Sequence, residues 1–220
     1  MNKENFMDNI YAKIFQYVYW FLMLNICFFL TTLPLFISIF ALSIQLENLV
    51  LFFVSSITLG PAIRAVMGCV NQLIETKDIS VFKDYFFYLK SHFTEHVVSW
   101  MVYDLMLFII ISDILMFVMN QLFLAGVPLF VVLAVLLTGL MINTYYFRLK
   151  NPDHKYRLII KLSAYCTLKK WWYTILNSVL FGLIILLMFL KPQFGFFITP
   201  SLLIFLILKN CKVLYKQEVK

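Results

Sequence analysis

Residues Thr58–Trp100 read TLGPAIRAVMGCVNQLIETKDISVFKDYFFYLKSHFTEHVVSW. The segment begins as the end of an apolar run, turns polar and charged with Phe and Tyr interleaved, and ends where the next apolar run starts. The rest of the chain is apolar helix arranged around crossings of this kind. Of the 220 residues, 63% are hydrophobic and only 13% are charged, and the mean hydropathy is +0.90. That exceeds what a water-soluble domain can carry on its surface.

Several apolar runs pass the roughly 18 residues that cross a hydrocarbon core of about 30 Å as a helix. They are continuous, whereas a transmembrane β-barrel alternates apolar and polar residues in segments of about ten. The expectation is an all-α polytopic membrane helix bundle, one integral membrane domain over residues 1–220. It has about six transmembrane helices and two amphipathic interfacial helices on the cytoplasmic side.

The first span is expected over residues 17–42, opened by Tyr17, Tyr19 and Trp20, an aromatic cluster suited to a headgroup boundary. It is too long for a cleaved signal peptide and no small-residue cleavage site follows it. The second covers 49–70 and carries Gly60 and Pro61, where the missing backbone donor should kink the helix. From 71 to 96 the chain is too polar to cross. Ser80 is placed to cap a helix whose Phe82, Phe86, Leu89, Phe93 and Val97 recur at steps of three and four, an interfacial pattern. The third and fourth spans cover 97–119 and 122–147.

A second amphipathic block, 148–170, holds seven basic residues, among them Arg148, Lys150, Arg157 and Lys170, against one acid, Asp153. Trp171, Trp172 and Tyr173 anchor a fifth span over 171–190. Lys191-Pro192-Gln193 turns the chain into a sixth, 194–208, which is short at roughly 22 Å and could be re-entrant. The two blocks are loosely parallel, SHFTEHVVSWMVYDL to CTLKKWWYTILNSVL, which leaves a duplicated unit open.

With both termini cytoplasmic, seventeen of the eighteen Lys and Arg lie on that side and only Lys191 lies outside. This bias sets orientation. It also explains the net charge of +7 by contact with anionic inner-leaflet lipid, with no nucleic acid implied. The expected location is a bacterial plasma membrane. Cys27, Cys69, Cys166 and Cys211 have no paired spacing and read as reduced thiols.

Three constellations carry candidate chemistry. His92, Glu95 and His96 read H-x-x-E-H, the inverted zincin pattern. A third ligand is wanted and only His154 is near, so no metal is expected and His92 and His96 are weak candidates. Arg64 and Asp104 lie at similar distances from the cytoplasmic span ends. Ionisable groups inside spans are paired or functional, so an intramembrane ion pair is expected, with snorkelling of Arg64 to the headgroups as the alternative. Asn25, Asp113, Asn143 and Asn177 either line a polar cavity or make interhelical hydrogen bonds. No phosphate-binding loop, nucleophile elbow or redox C-x-x-C occurs, and no cofactor is implied.

At TLGPAIRAV followed by DISVFKDYFFYLKSHF the chain resembles the YesL-like family of bacterial multi-pass membrane proteins. The features are Gly60-Pro61-Ala62 closing a span, the polar step to Asp78, then Phe82-Lys83-Asp84-Tyr85-Phe86 with Lys90 and Phe93; Leu33-Pro34 also fits. The specific part covers roughly residues 20 to 105. The resemblance implies a protein of unestablished activity associated with carbohydrate uptake, in which the positions of His92 and His96 are not metal ligands.

Three functions follow as expectations. The first is a non-catalytic accessory or regulatory protein that docks on lipid and on a sugar permease or sensor through Phe82, Lys83, Phe86, Lys90 and Phe93. The second is a small secondary transporter of a polar solute. The third is a membrane metallohydrolase using His92, Glu95 and His96.

Overall fold

Prolines set where the apolar runs break. In the computed structural model, which describes residues 10–43, 45–121 and 124–218, the chain is an all-α membrane helix bundle. The helices are α1 Ile10–Thr31, α2 Leu33–Ala41, α3 Leu49–Ser56, α4 Leu59–Thr76, α5 Val81–Lys90, α6 Phe93–Met119, α7 Val127–Lys150, α8 Tyr156–Lys169, α9 Trp171–Leu190, α10 Pro192–Phe197 and α11 Thr199–Glu218. Five stretches among the described residues are long and apolar enough to cross a membrane: α1, α3 with α4, α6, α7 with the turn before it, and α9.

The run 17–42 is not one helix. It divides at Thr32, two residues before Pro34, and its first part starts seven residues earlier than expected, at Ile10. Trp20 consequently lies in the core, 5% exposed, instead of at a headgroup boundary. The second run divides at Ile57 and Thr58. Pro61 has no N–H to offer the Ile57 carbonyl and its ring crowds that carbonyl, the usual cause of such a break.

The sixth run is likewise two helices, α10 and α11, divided at Ile198 just before Pro200. Lys209, Asn210 and Lys212 make the second half of α11 polar. The fifth span has the expected bounds, and Trp171 and Trp172 stack at 4.2 Å on its exposed start. Lys3, Glu4, Asp8 and Lys220 lie outside the described residues.

α4 is the central helix: thirteen of its eighteen residues are buried, and it packs against α1, α5, α6 and α11. Small residues on α4 let large ones approach. A Cβ on Gly60 would lie 2.1 Å from Cγ of Trp100, and one on Gly68 would lie 2.4 Å from Cγ of Tyr88. With lipid outside and no hydrophobic force between helices, such close packing and interhelical hydrogen bonds hold a bundle together.

Candidate functional site at the polar end of the bundle

α3 and α4 run antiparallel to α6 in a regular register. Phe53 meets Phe108 at 5.2 Å, Ser56 meets Asp104, Gly60 lies under Trp100, and Arg64 meets His96. Trp100 is locked by its indole N–H, which donates to the Ser56 carbonyl at 3.0 Å. Arg64, 8% exposed, donates from Nε to His96 Nε2 at 3.3 Å and from Nη1 to the Tyr145 carbonyl at 2.6 Å.

This register overturns the expected ion pair. Asp104 accepts from the Ser56 hydroxyl at 2.5 Å, two turns of α6 away from the residue that meets Arg64. Distance from a helix end is not depth here, because α4 runs on to Thr76 and projects past the start of α6. α5 folds back on that projection: Gln72 donates to Asp84 at 3.0 Å, and the Tyr88 hydroxyl donates to Gln72 at 3.2 Å.

The basic end of the bundle is tied together by polar contacts. Arg148 on α7 pairs with Glu95 on α6 at 2.7 Å and donates to the Pro152 and His154 carbonyls at 2.8 Å each. Lys150 pairs with Glu75 at the end of α4. Ser99 and Tyr156 share a hydrogen bond between α6 and α8, and the Tyr215 hydroxyl of α11 donates to Asn151 at 3.2 Å. Burial holds the Tyr156 phenol above its ordinary range, against the Ser99 hydrogen bond that lowers it.

This arrangement engages His96 and one oxygen of Glu95, two of the three H-x-x-E-H side chains. His92 occupies the N-cap position of α6 in the left-handed region, φ 50°, with no side-chain cap bond, its ring 6.4 Å from that of His96. The His96 acceptor nitrogen is taken by Arg64 and one Glu95 oxygen by Arg148. Among the described residues no group of three His, Cys, Asp or Glu is arranged to hold a metal ion.

α5 is a platform with two faces. Its inner side is clamped: Tyr85, fully buried, shares a 2.7 Å hydrogen bond with Thr31, and Tyr88 covers Gly68. Burial pushes the Tyr85 phenol far above its usual range, although the Thr31 contact works the other way. The helix start is capped differently from expectation. The Ser80 side chain makes no cap bond; instead Asp84 Oδ2 accepts the Ser80 N–H at 2.8 Å. The outer side presents Phe82, Phe86 and Phe87 at 50%, 42% and 64% exposure, with Lys83 and Lys90 also exposed and Phe93 half-exposed beyond.

The amide and acid residues of the spans do not converge. Asn25 bridges the α10–α11 break, donating to the Ile198 carbonyl at 2.9 Å and accepting the Ser201 N–H at 2.9 Å. Asn143 donates to Thr167 at 3.0 Å, and Asn177 contacts Asn210 and Cys211. Asp113 is half-buried on α6, nine residues beyond Asp104. The three asparagines make separate interhelical or backbone-satisfying contacts, and none of the four residues lines the larger cavities between the described helices.

Sequence reasoning missed Tyr145, Glu95 with Arg148, Ser56 and Tyr85 as partners. Only Ser56 had a local signal, its place one turn before Gly60-Pro61.

Residues 21–114 match the model of a family described as "Protein of unknown function, DUF624". The matched range contains the motifs from Leu33-Pro34 to Phe93 that carry the sequence resemblance. No curated protein and no solved structure matches the chain.

Proposed function

We propose that this protein is a non-catalytic accessory component of a bacterial plasma membrane, with both termini cytoplasmic, that docks a membrane partner on the outer face of α5. The observation that carries the reading is the construction of α5. Its inner face is fixed by Tyr85, Tyr88 and Asp84, while Phe82, Phe86 and Phe87 stand outward beside Lys83 and Lys90. Rigid aromatic anchors rimmed by charge are what protein contact surfaces concentrate.

α8 presents a different mixture, exposed Leu158, Leu162, Tyr165 and Leu168 beside Arg157 and Lys161. This suits the headgroup layer of an anionic leaflet. The YesL-like resemblance supplies the partner class, a carbohydrate permease or its sensor. The dispersal of Asn25, Asn143, Asn177 and Asp113 weighs against a polar-solute carrier, and the engagement of His96 and Glu95 weighs against a metallohydrolase.

The test is capture from native membranes of cells grown on different sugars. A permease or sensor subunit should be recovered with the wild-type protein and lost with Phe82→Ala/Phe86→Ala, a variant that inserts normally. Recovery that is unchanged by the double substitution would refute the assignment of the surface. Absence of any such subunit on every sugar would refute the accessory reading.

A further inference from the structure

A second feature lies at the other end of the α3–α6 register. A cavity of about 590 Å³ opens between α2, α3, α6, α7 and α9, within the ordinary size range for small-molecule sites. Its wall is largely aromatic and aliphatic, with Phe52, Phe108 and Phe181 prominent.

The wall's polar groups are almost all consumed by the protein itself. The Thr138 hydroxyl donates to the Ala134 carbonyl and the Ser178 hydroxyl to the Val135 carbonyl, both at 2.8 Å. The Trp100 indole donates to the Ser56 carbonyl, and the Ser56 hydroxyl to Asp104 Oδ2. What remains is Asp104 Oδ1, which has no hydrogen-bond partner among the described residues. Nor does Asp104 have an ion-pair partner among them, since Arg64 is committed to His96 and Tyr145.

A carboxylate in an apolar, membrane-depth site is costly unless a cation or donor meets it. The protein has the means to supply one, in Arg64, and directs it elsewhere. We infer that the cavity is a binding site for a small cationic amphiphile, an apolar body with a single ammonium group that pairs with Asp104 while its body fills the space between α3, α6 and α9. The aromatic wall adds attraction for the same charge through the ring faces. The Ser56 hydroxyl orients the carboxylate, and the break between α3 and α4 places Ser56 there. This inference is independent of the α5 docking surface.

The test uses the full chain in nanodiscs of zwitterionic lipid, with equilibrium dialysis of 4-phenylbutylammonium and its uncharged analogue 4-phenylbutanol, and empty discs subtracted. Saturable binding of the ammonium is expected, at least tenfold tighter than the alcohol. Asp104→Asn should weaken it at least tenfold and Asp104→Glu should retain it. Gly182 lines the cavity and a Cβ there would meet nothing within 4 Å, so Gly182→Phe, which leaves the Asp104 carboxylate in place, is expected to occupy the space and abolish binding in a folded protein. Equal affinity for alcohol and ammonium, or undiminished ammonium binding in Asp104→Asn, would make this a plain acyl-chain groove and overturn the inference. So would binding that persists in Gly182→Phe, or no saturable binding at all.

Discussion

Replacing Gly60 by Ala should destabilise the bundle sharply, and the structure fixes why. The added Cβ would sit 2.1 Å from Trp100 Cγ and 2.4 Å from Trp100 Cβ, against an ordinary carbon contact of about 3.5–4 Å. The atoms in the way belong to the root of the side chain, not to a flexible tip. Trp100 is 2% exposed and its indole is held on Ser56. Relief therefore requires α4 and α6 to separate or the ring to leave its site. Overpacking costs about 1–3 kcal/mol and loss of the indole hydrogen bond about 1 kcal/mol more. For a chain of this size that corresponds to a melting temperature roughly 5–15 °C lower. Gly182→Ala is the matched control. It also sits in a span, meets no atom, and should be neutral or stabilising by about 0.5–1 kcal/mol through reduced chain entropy. All four cysteines are buried, so a thiol-reactive dye followed on heating in detergent reads unfolding directly. Coincident melting of Gly60→Ala and wild type would refute the packing of α4 on α6.

Two further outcomes follow from the polar contacts. Exchanging charges in Arg64→Asp/Asp104→Arg should yield no more folded protein than the worse single variant, because the two side chains have different partners; recovery of wild-type yield in the double variant would show that they pair. Asn25→Leu strands the part-buried Ile198 carbonyl and the buried Ser201 N–H. At about 1–3 kcal/mol for each unsatisfied group, it should lower the melting temperature more than Asn120→Leu, whose amide caps an exposed helix end; equal effects would argue against its role at the break.

Much of this architecture was legible because hydropathy and helix length are strong local signals. The bounds of α9 and the end of α6 at Met119 follow from composition alone. The breaks were less legible. Pro34, Pro61 and Pro200 each lie just after one, yet in membranes a proline is tolerated when neighbours satisfy the freed backbone. Whether Asn25 would do so for Ile198 depends on residues 173 positions apart. The Arg64–Asp104 expectation failed for a related reason. Counting turns from predicted span ends assumes that adjacent helices start level, and the projection of α4 beyond α6 is a tertiary fact. The outward face of α5 was readable from its period, but the identity of its clamps, Thr31 and Gly68, was not.

The most direct test of the docking surface is photo-crosslinking in native membranes with a photoreactive phenylalanine analogue placed at position 86, and at buried position 85 as the comparison. Position 86 should crosslink to a carbohydrate permease or sensor subunit, and position 85 only within the chain, to α1. Crosslinks from position 86 to lipid or to this chain alone, under every sugar tested, would contradict the account.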